Sequence, residues 1–106
     1  MGETGRVLVL GATGFFGGAI AAALEAAGHQ VERRHRRNGG DLLDPAGLRR
    51  LIAELEPSAV VNAAGLTSPA AARKDPAACF RVNTGGVMNL LEACRQAAPG
   101  AAVVAI

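Results

Sequence analysis

The chain has 106 residues, half of them hydrophobic but only three aromatic, all phenylalanine, and a formal charge of +2. That length allows one domain with a small core of Ala, Val, Leu and Ile. The low charge, with no long basic stripe, argues against nucleic acid, and the apolar runs are too short to cross a membrane. The opening Met1-Gly2-Glu3-Thr4-Gly5-Arg6 lacks the layout of a secretory signal. Two cysteines, Cys79 and Cys94, make neither a disulfide framework nor a metal site. A cytoplasmic protein without a metal is therefore expected.

Val7-Leu8-Val9-Leu10 is an unbroken apolar run ending at Gly11, as in a strand covered on both faces. Residues 11–18 are dense in glycine, and a helical pattern then runs from Phe15 to Ala27, anchored by Phe16, Ile20 and Leu24 and stopped by Gly28. Residues 30–34 form a second strand of which only Val31 is plainly apolar. Asp44-Pro45 is a helix start, aspartate capping and proline taking the first turn, and Leu48, Leu51, Ile52 and Leu55 keep the helical spacing until Glu56-Pro57. Ala59-Val60-Val61 is a third strand, and a loop with Thr67, Ser68 and Pro69 follows. Asp75-Pro76 opens a long helix to about Ala98, whose apolar stripe is Phe80, Val87, Leu90, Leu91 and Cys94, with Asn83 inside it. Residues 102–106 make a last strand. Strands alternating with helices predict a Rossmann-type α/β fold, a parallel sheet with flanking helices.

Gly11-Ala12-Thr13-Gly14-Phe15-Phe16-Gly17 falls between the first strand and the first helix. A phosphate-binding turn needs glycine where the chain turns, where backbone meets the pyrophosphate, and where helix packs on strand. The helix N-terminus adds unpaired amides and the positive end of its dipole. The alternative is a tight turn without ligand. Ala63, Ala64 and Gly65 end the third strand almost without side chains, leaving room for a flat ribose or ring, or for close helix packing. Asp41 follows two glycines in a loop at the sheet's C-terminal edge, where an adenine would lie; a turn-forming aspartate is the alternative.

With its G-x-x-G-x-x-G spacing the sequence resembles the short-chain dehydrogenase/reductase superfamily, in particular its extended branch of sugar-nucleotide epimerases, dehydratases and reductases. Thr13-Gly14-Phe15-Phe16-Gly17 is similar to that branch's T-G-F-I-G loop. Gly40-Asp41-Leu42-Leu43-Asp44 is similar to its adenine-contacting G-D-L-x-D segment. Val60 to Gly65 resembles the strand and turn under the cofactor. Asp75-Pro76, Phe80, Val82-Asn83, Gly86 and Asn89 to Ala93 resemble its long helix. The resemblance implies a dinucleotide held by Gly11, Thr13, Gly14, Phe15, Phe16, Gly17, Asp41, Leu42, Ala63, Ala64, Gly65, Thr67 and Asn83, the last tying loop backbone in place; a purely structural asparagine is the alternative there.

The residue roughly 20 positions past the glycine loop reads the adenosine ribose in this fold. Here that position falls at His35 and Arg36, with Arg33, Arg34 and Arg37 beside it, while Glu32 comes too early. Arg36 and Arg37 suit a 2′-phosphate, so NADP is expected, with NAD the alternative; a solvated basic turn would leave the choice open. Only six residues separate Arg34 from Asp41, too few for the helix and strand usually between them. That shortening, with the Asn62-Ala63-Ala64 turn and Thr67, is similar to 4-ketoreductases of the dTDP-4-dehydrorhamnose reductase type.

The superfamily's chemistry uses a tyrosine, a lysine four residues on, and a serine or threonine. This chain has no tyrosine and a single lysine, Lys74, before the long helix, so no catalytic residue is assigned. The expectation is that residues 1–106 are the N-terminal, NAD(P)-binding portion of a larger enzyme whose catalytic segment, substrate lobe and nucleotide-sugar site lie elsewhere; a homodimer is left open. The rival readings are a non-catalytic NAD(P)-binding module or sensor of the atypical kind, and a scaffold using the fold without ligand.

Overall fold

The computed structural model describes residues 5–65 and 69–106. Four parallel strands, β1 (Val7–Leu10), β2 (Val31–Arg34), β3 (Ala59–Asn62) and β4 (Ala102–Ala105), form one sheet in the order β2-β1-β3-β4. Val7 pairs with Val31 on one side and Ala59 on the other, and Ala59 pairs in turn with Ala102. β1 is central and all four of its residues are buried, which is why it lacks the alternation of a half-exposed strand. The order is Rossmann-like, as the sequence predicts, with the short 34–41 segment replacing a helix and strand by a single 3₁₀ turn, Arg36–Asn38.

Side chains divide by parity along β1. Leu8 and Leu10 face a core shared with Leu48, Leu51, Ile52, Leu55, Val60, Leu90 and Cys94, covered by helices α2 (Pro45–Leu55) and α5 (Gly86–Ala97). Val7 and Val9 face Ala12 and Ala21, under helix α1 (Phe15–Ala26). In α2 all four leucine and isoleucine positions expected from spacing are buried. Each such burial is worth about 1.5–3 kcal/mol before entropy is counted. Asp44 caps α2 by accepting from the Gly47 amide at 3.0 Å, with Pro45 in the first turn.

Three differences from the sequence expectation share a cause or a place. Residues 69–74, expected as loop, form a short helix, α3 (Pro69–Lys74), and Lys74 closes it. The long helix is one continuous run made of α4 (Pro76–Phe80), a π turn (Arg81–Gly85) and α5. Its buried face passes through Cys79, Gly86, Leu90, Ala93 and Cys94, whereas Phe80, Asn83 and Leu91 are exposed. Likewise α1 buries Gly17 and Ala21 and exposes Phe16. In α1 the contact runs through small residues, so the buried face lies one residue, about 100°, from the stripe of bulky ones. In the long helix Leu90 and Cys94 of the expected stripe are buried, but small residues such as Gly86 and Ala93 complete the face in place of Phe80 and Leu91. Gly86 shows why: a Cβ there would stand 2.8 Å from Leu42 Cβ.

Candidate functional site

The cleft opens where β1 and β3 end. From β1 the chain crosses to β2 on one side, while β3 lies on the other, and this divergence leaves a crevice beyond the C-terminal strand ends. Gly11, Gly14 and Gly17 take three separate tasks at its floor. Gly11 has φ +75°, and a Cβ on it would stand 2.6 Å from the Ala63–Ala64 peptide. Gly17 could carry no Cβ without running into the Gly11 carbonyl, so the helix can lie against the turn only there. A Cβ on Gly14 meets only the Gly11 carbonyl oxygen, at 3.4 Å, and would otherwise point at open space. Gly14 is also the N-cap of α1 and provides no side-chain cap. The first-turn amides of α1 therefore have neither an intrahelical partner nor a side-chain cap from Gly14 at the cleft, among the described residues.

Two chambers meet at this floor. One, of about 300 Å³, is walled by Gly11, Thr13, Gly14, His35, Arg36, Gly40, Asp41, Leu42, Leu43, Ala63, Ala64, Gly65 and Val82. The other, of about 400 Å³, is walled by Gly14, Phe15, Phe16, Asn62, Ala63, Ala64, Gly65, Asn83, Val87, Ala105 and Ile106. Gly14, Ala63, Ala64 and Gly65 belong to both walls. The Phe15 and Phe16 rings, exposed, meet edge to face with centroids 5.2 Å apart, giving the second chamber an apolar wall. Asn62, buried at the end of β3, accepts from the Ala64 amide at 3.1 Å and fixes the turn that both chambers share.

Nearly all the residues expected from sequence are brought together here. Asp41 stands in the first chamber's wall, and its Oδ1 accepts from the Leu43 amide at 2.9 Å, so it also forms its own turn. Asn83 sits on the π turn in the second wall, with its Oδ1 2.8 Å from where a Cβ on Gly65 would be; the bare Gly65 lets that amide approach the loop. Gly17 is buried behind the turn rather than in either wall, and Thr67 lies outside the described residues. His35, Gly40, Leu43, Val82 and Val87 line the chambers without having been singled out as ligands. His35 had a signal, its place at the end of β2, and Gly40, Leu43 and Val82 stand inside the motifs named above; Val87 supplies aliphatic surface that no residue pattern marks as a ligand.

The arginines separate clearly. Arg33 is taken up by Glu25, with Nη2 2.5 Å from Oε1. Arg34 holds Glu32 at 2.8 Å and the Asn38 carbonyl at 2.9 Å. Arg36 lines the first chamber and Arg37 does not; both are exposed, and neither guanidinium has an ion pair among the described residues. Glu32 is a β2 residue engaged by Arg34 and absent from the chamber wall. Among the described residues no group of His, Cys, Asp and Glu side chains could hold a metal ion, and no helix is long and apolar enough to cross a membrane.

Residues 7–105 match the model of the NAD dependent epimerase/dehydratase family. The chain is 37% identical over 90 residues to a dTDP-4-dehydrorhamnose reductase of Streptomyces griseus, covering 85% of this chain and 29% of that protein. It is 38% identical over 92 residues to a GDP-6-deoxy-D-mannose reductase of Pseudomonas aeruginosa, covering 87% and 30%. It thus spans less than a third of these curated relatives. Among solved structures, the UDP-glucose 4-epimerase of Thermus thermophilus in complex with NAD is 36% identical, with a TM-score of 0.78, over 86% of this chain and 34% of that one. The dTDP-4-dehydrorhamnose reductase of Bacillus anthracis in complex with NADP shares the fold, with a TM-score of 0.86 at 19% identity, over 97% and 36%.

Proposed function

The chain belongs to the NAD dependent epimerase/dehydratase family, and from that premise we propose that it is the cofactor-binding portion of a cytoplasmic NADP-dependent oxidoreductase that reduces a 4-keto sugar nucleotide. The observation that carries this reading is the two-chambered cleft joined at Gly14, beside an uncapped helix N-terminus. A dinucleotide has that form: two nucleoside halves linked by an anionic pyrophosphate. The junction offers backbone amides and a dipole where the anion would lie, and the Cβ that Gly14 lacks would fill the same space. The cofactor fits the residues present.

Asp41 and Leu42 would hold the adenine, Arg36 the ribose end, and Ala63, Ala64, Gly65 and Asn83 the span toward the nicotinamide. Thr13 and Thr67 would complete the phosphate and ribose contacts. When bound, NADPH supplies a hydride, and the ketone it reduces becomes an alcohol only if a proton is delivered to the oxygen. This chain has no tyrosine to deliver it, so its own residues bind, orient and exclude water, and the proton donor belongs to a further segment of the enzyme. NADP is preferred because Glu32, the one acid near the end of β2, is engaged by Arg34, while Arg36 stands in the wall without an ion-pair partner among the described residues. The Thermus relative bound to NAD keeps NAD as the alternative.

Calorimetric titration with NADP and NAD tests the cofactor binding and the preference for NADP. The protein should bind NADP more tightly than NAD, and Arg36→Ala should weaken NADP by about 1.5–3 kcal/mol, the range for hydrogen bonds to charged groups, while leaving NAD nearly unchanged. Equal losses for the two would refute the cofactor assignment, and binding of neither by the unaltered protein would refute the function.

A further inference from the structure

Arg36 sits on a turn held by side chains on several sides. The Asn38 Oδ1 accepts from the His35 amide at 2.6 Å, and the His35 Nδ1 accepts from the Arg37 amide at 3.1 Å, a reciprocal cap across three residues. Arg34 donates to the Asn38 carbonyl at 2.9 Å, while its other nitrogens are fixed on Glu32 at 3.1 and 2.8 Å. The His35 carbonyl accepts from the amides of Asn38 and Gly40. Gly39, with φ +101°, reverses the chain, and Gly40 is packed against Arg34 so closely that a Cβ would stand 3.1 Å from the Arg34 Cβ. The segment rests on the core at the buried Gly40, whereas residues 36–39 are exposed and are held by these polar ties.

We propose that Asn38 is a specificity-determining positioning residue, which acts on the cofactor's 2′-phosphate through Arg36. Asn38 itself lines neither chamber among the described residues, though it holds His35 and so the segment that carries Arg36 into the first wall. Its two oxygens bind the residue before Arg36 and the arginine at the end of β2, so that the backbone of Arg36 is set before ligand arrives. Ordering a long side chain on binding costs roughly 0.5–1.5 kcal/mol, and a preset turn lowers that cost only for a ligand that Arg36 contacts. NADP should benefit and NAD should not. The inference rests on the cofactor assignment above.

A double-mutant cycle separates the two. Affinities for NADP and NAD are measured by calorimetry for the unaltered protein, Asn38→Ala, Arg36→Ala and the double variant. Asn38→Ala should weaken NADP roughly three- to tenfold, the size of one side chain's ordering cost, and change NAD less than twofold. In the Arg36→Ala background the same substitution should have no effect on NADP, because the group it acts through is gone. Loss of NADP affinity in Arg36→Ala without any in Asn38→Ala overturns the positioning role and leaves the cofactor assignment standing. Additive losses, or equal losses for both cofactors, overturn it as well. An Arg36→Ala variant that changes neither affinity overturns the cofactor assignment and this inference with it. Should Asn38→Ala fail to fold, Asn38→Leu, which keeps the side chain's bulk and removes the acceptor for the His35 amide, enters the same cycle with the same expectations.

Discussion

The three loop glycines look equivalent in the sequence and are not equivalent in the fold. A Cβ at Gly14 finds open cleft, while one at Gly17 runs into the Gly11 carbonyl. Gly17→Ala should therefore destabilise by about 1–3 kcal/mol, the usual cost of overpacking, read as a lower urea midpoint. Gly14→Val should leave the midpoint nearly unchanged and abolish dinucleotide binding, because its methyl groups occupy the space beside the α1 amides. A Gly14→Val protein that binds with full affinity would mean the anion sits elsewhere. The spacing alone identified the loop, but only backbone geometry assigns each glycine its task. The arginine run behaves the same way: four basic residues read as one patch until Glu25 and Glu32 are seen to occupy Arg33 and Arg34.

Among the elements, α2 was legible throughout, because its cap, its proline and its four large apolar residues all agree. α1 was legible in extent but not in facing, and the long helix in extent and in facing only at Leu90 and Cys94. Their other contacts run through Gly17, Ala21, Cys79, Gly86 and Ala93, residues too small to announce a buried stripe, and the bulky Phe16 and Phe80 draw the eye to an exposed face. The π turn left no residue signature either, although it brings Val82 and Asn83 to the cleft, a common place for such turns. On the solvent side of α5, the hydrogen bond from Arg95, and then that from Gln96, holds the Glu92 carboxyl down at about 2. A carboxyl with a folded pKa below its ordinary value of 4.5 adds stability above that value and loses it as pH falls toward 2. Denaturant midpoints of the unaltered protein and Glu92→Gln should thus differ at neutral pH and converge between about pH 4.5 and 2. Parallel curves across that window would show the triad to be without effect. In the same helix, burial pushes the Cys94 thiol up, so it stays protonated at neutral pH.

At the scale of the whole molecule, the cleft is assembled from nearly every part of the chain. Its walls come from the β1–α1 turn, the end of β2, the loop before α2, the end of β3, the π turn and the end of β4. A ligand that bridges both chambers ties segments from both layers of helices to one another, and it can do so only when the sheet is intact. Binding to the folded state alone must then raise stability by RT ln(1 + [L]/Kd), about 2.7 kcal/mol at a ligand concentration of 100 Kd. For a domain of this size each kcal/mol moves the thermal midpoint by roughly 4–8 °C, so saturating NADP should shift melting by well over that amount. The pattern across variants carries more information than the shift. Gly14→Val should lose the increment for NADP and NAD alike, because the shared floor is blocked. Arg36→Ala should lose part of the NADP increment and none of the NAD increment, because only one end of one ligand is affected. Glu92→Gln, on the far side of α5, should keep both increments in full while shifting the starting midpoint. Differential scanning calorimetry with each cofactor distinguishes these outcomes. An increment that survives in Gly14→Val, or one that is the same for a mononucleotide as for the dinucleotide, would show that the two chambers do not act as one site.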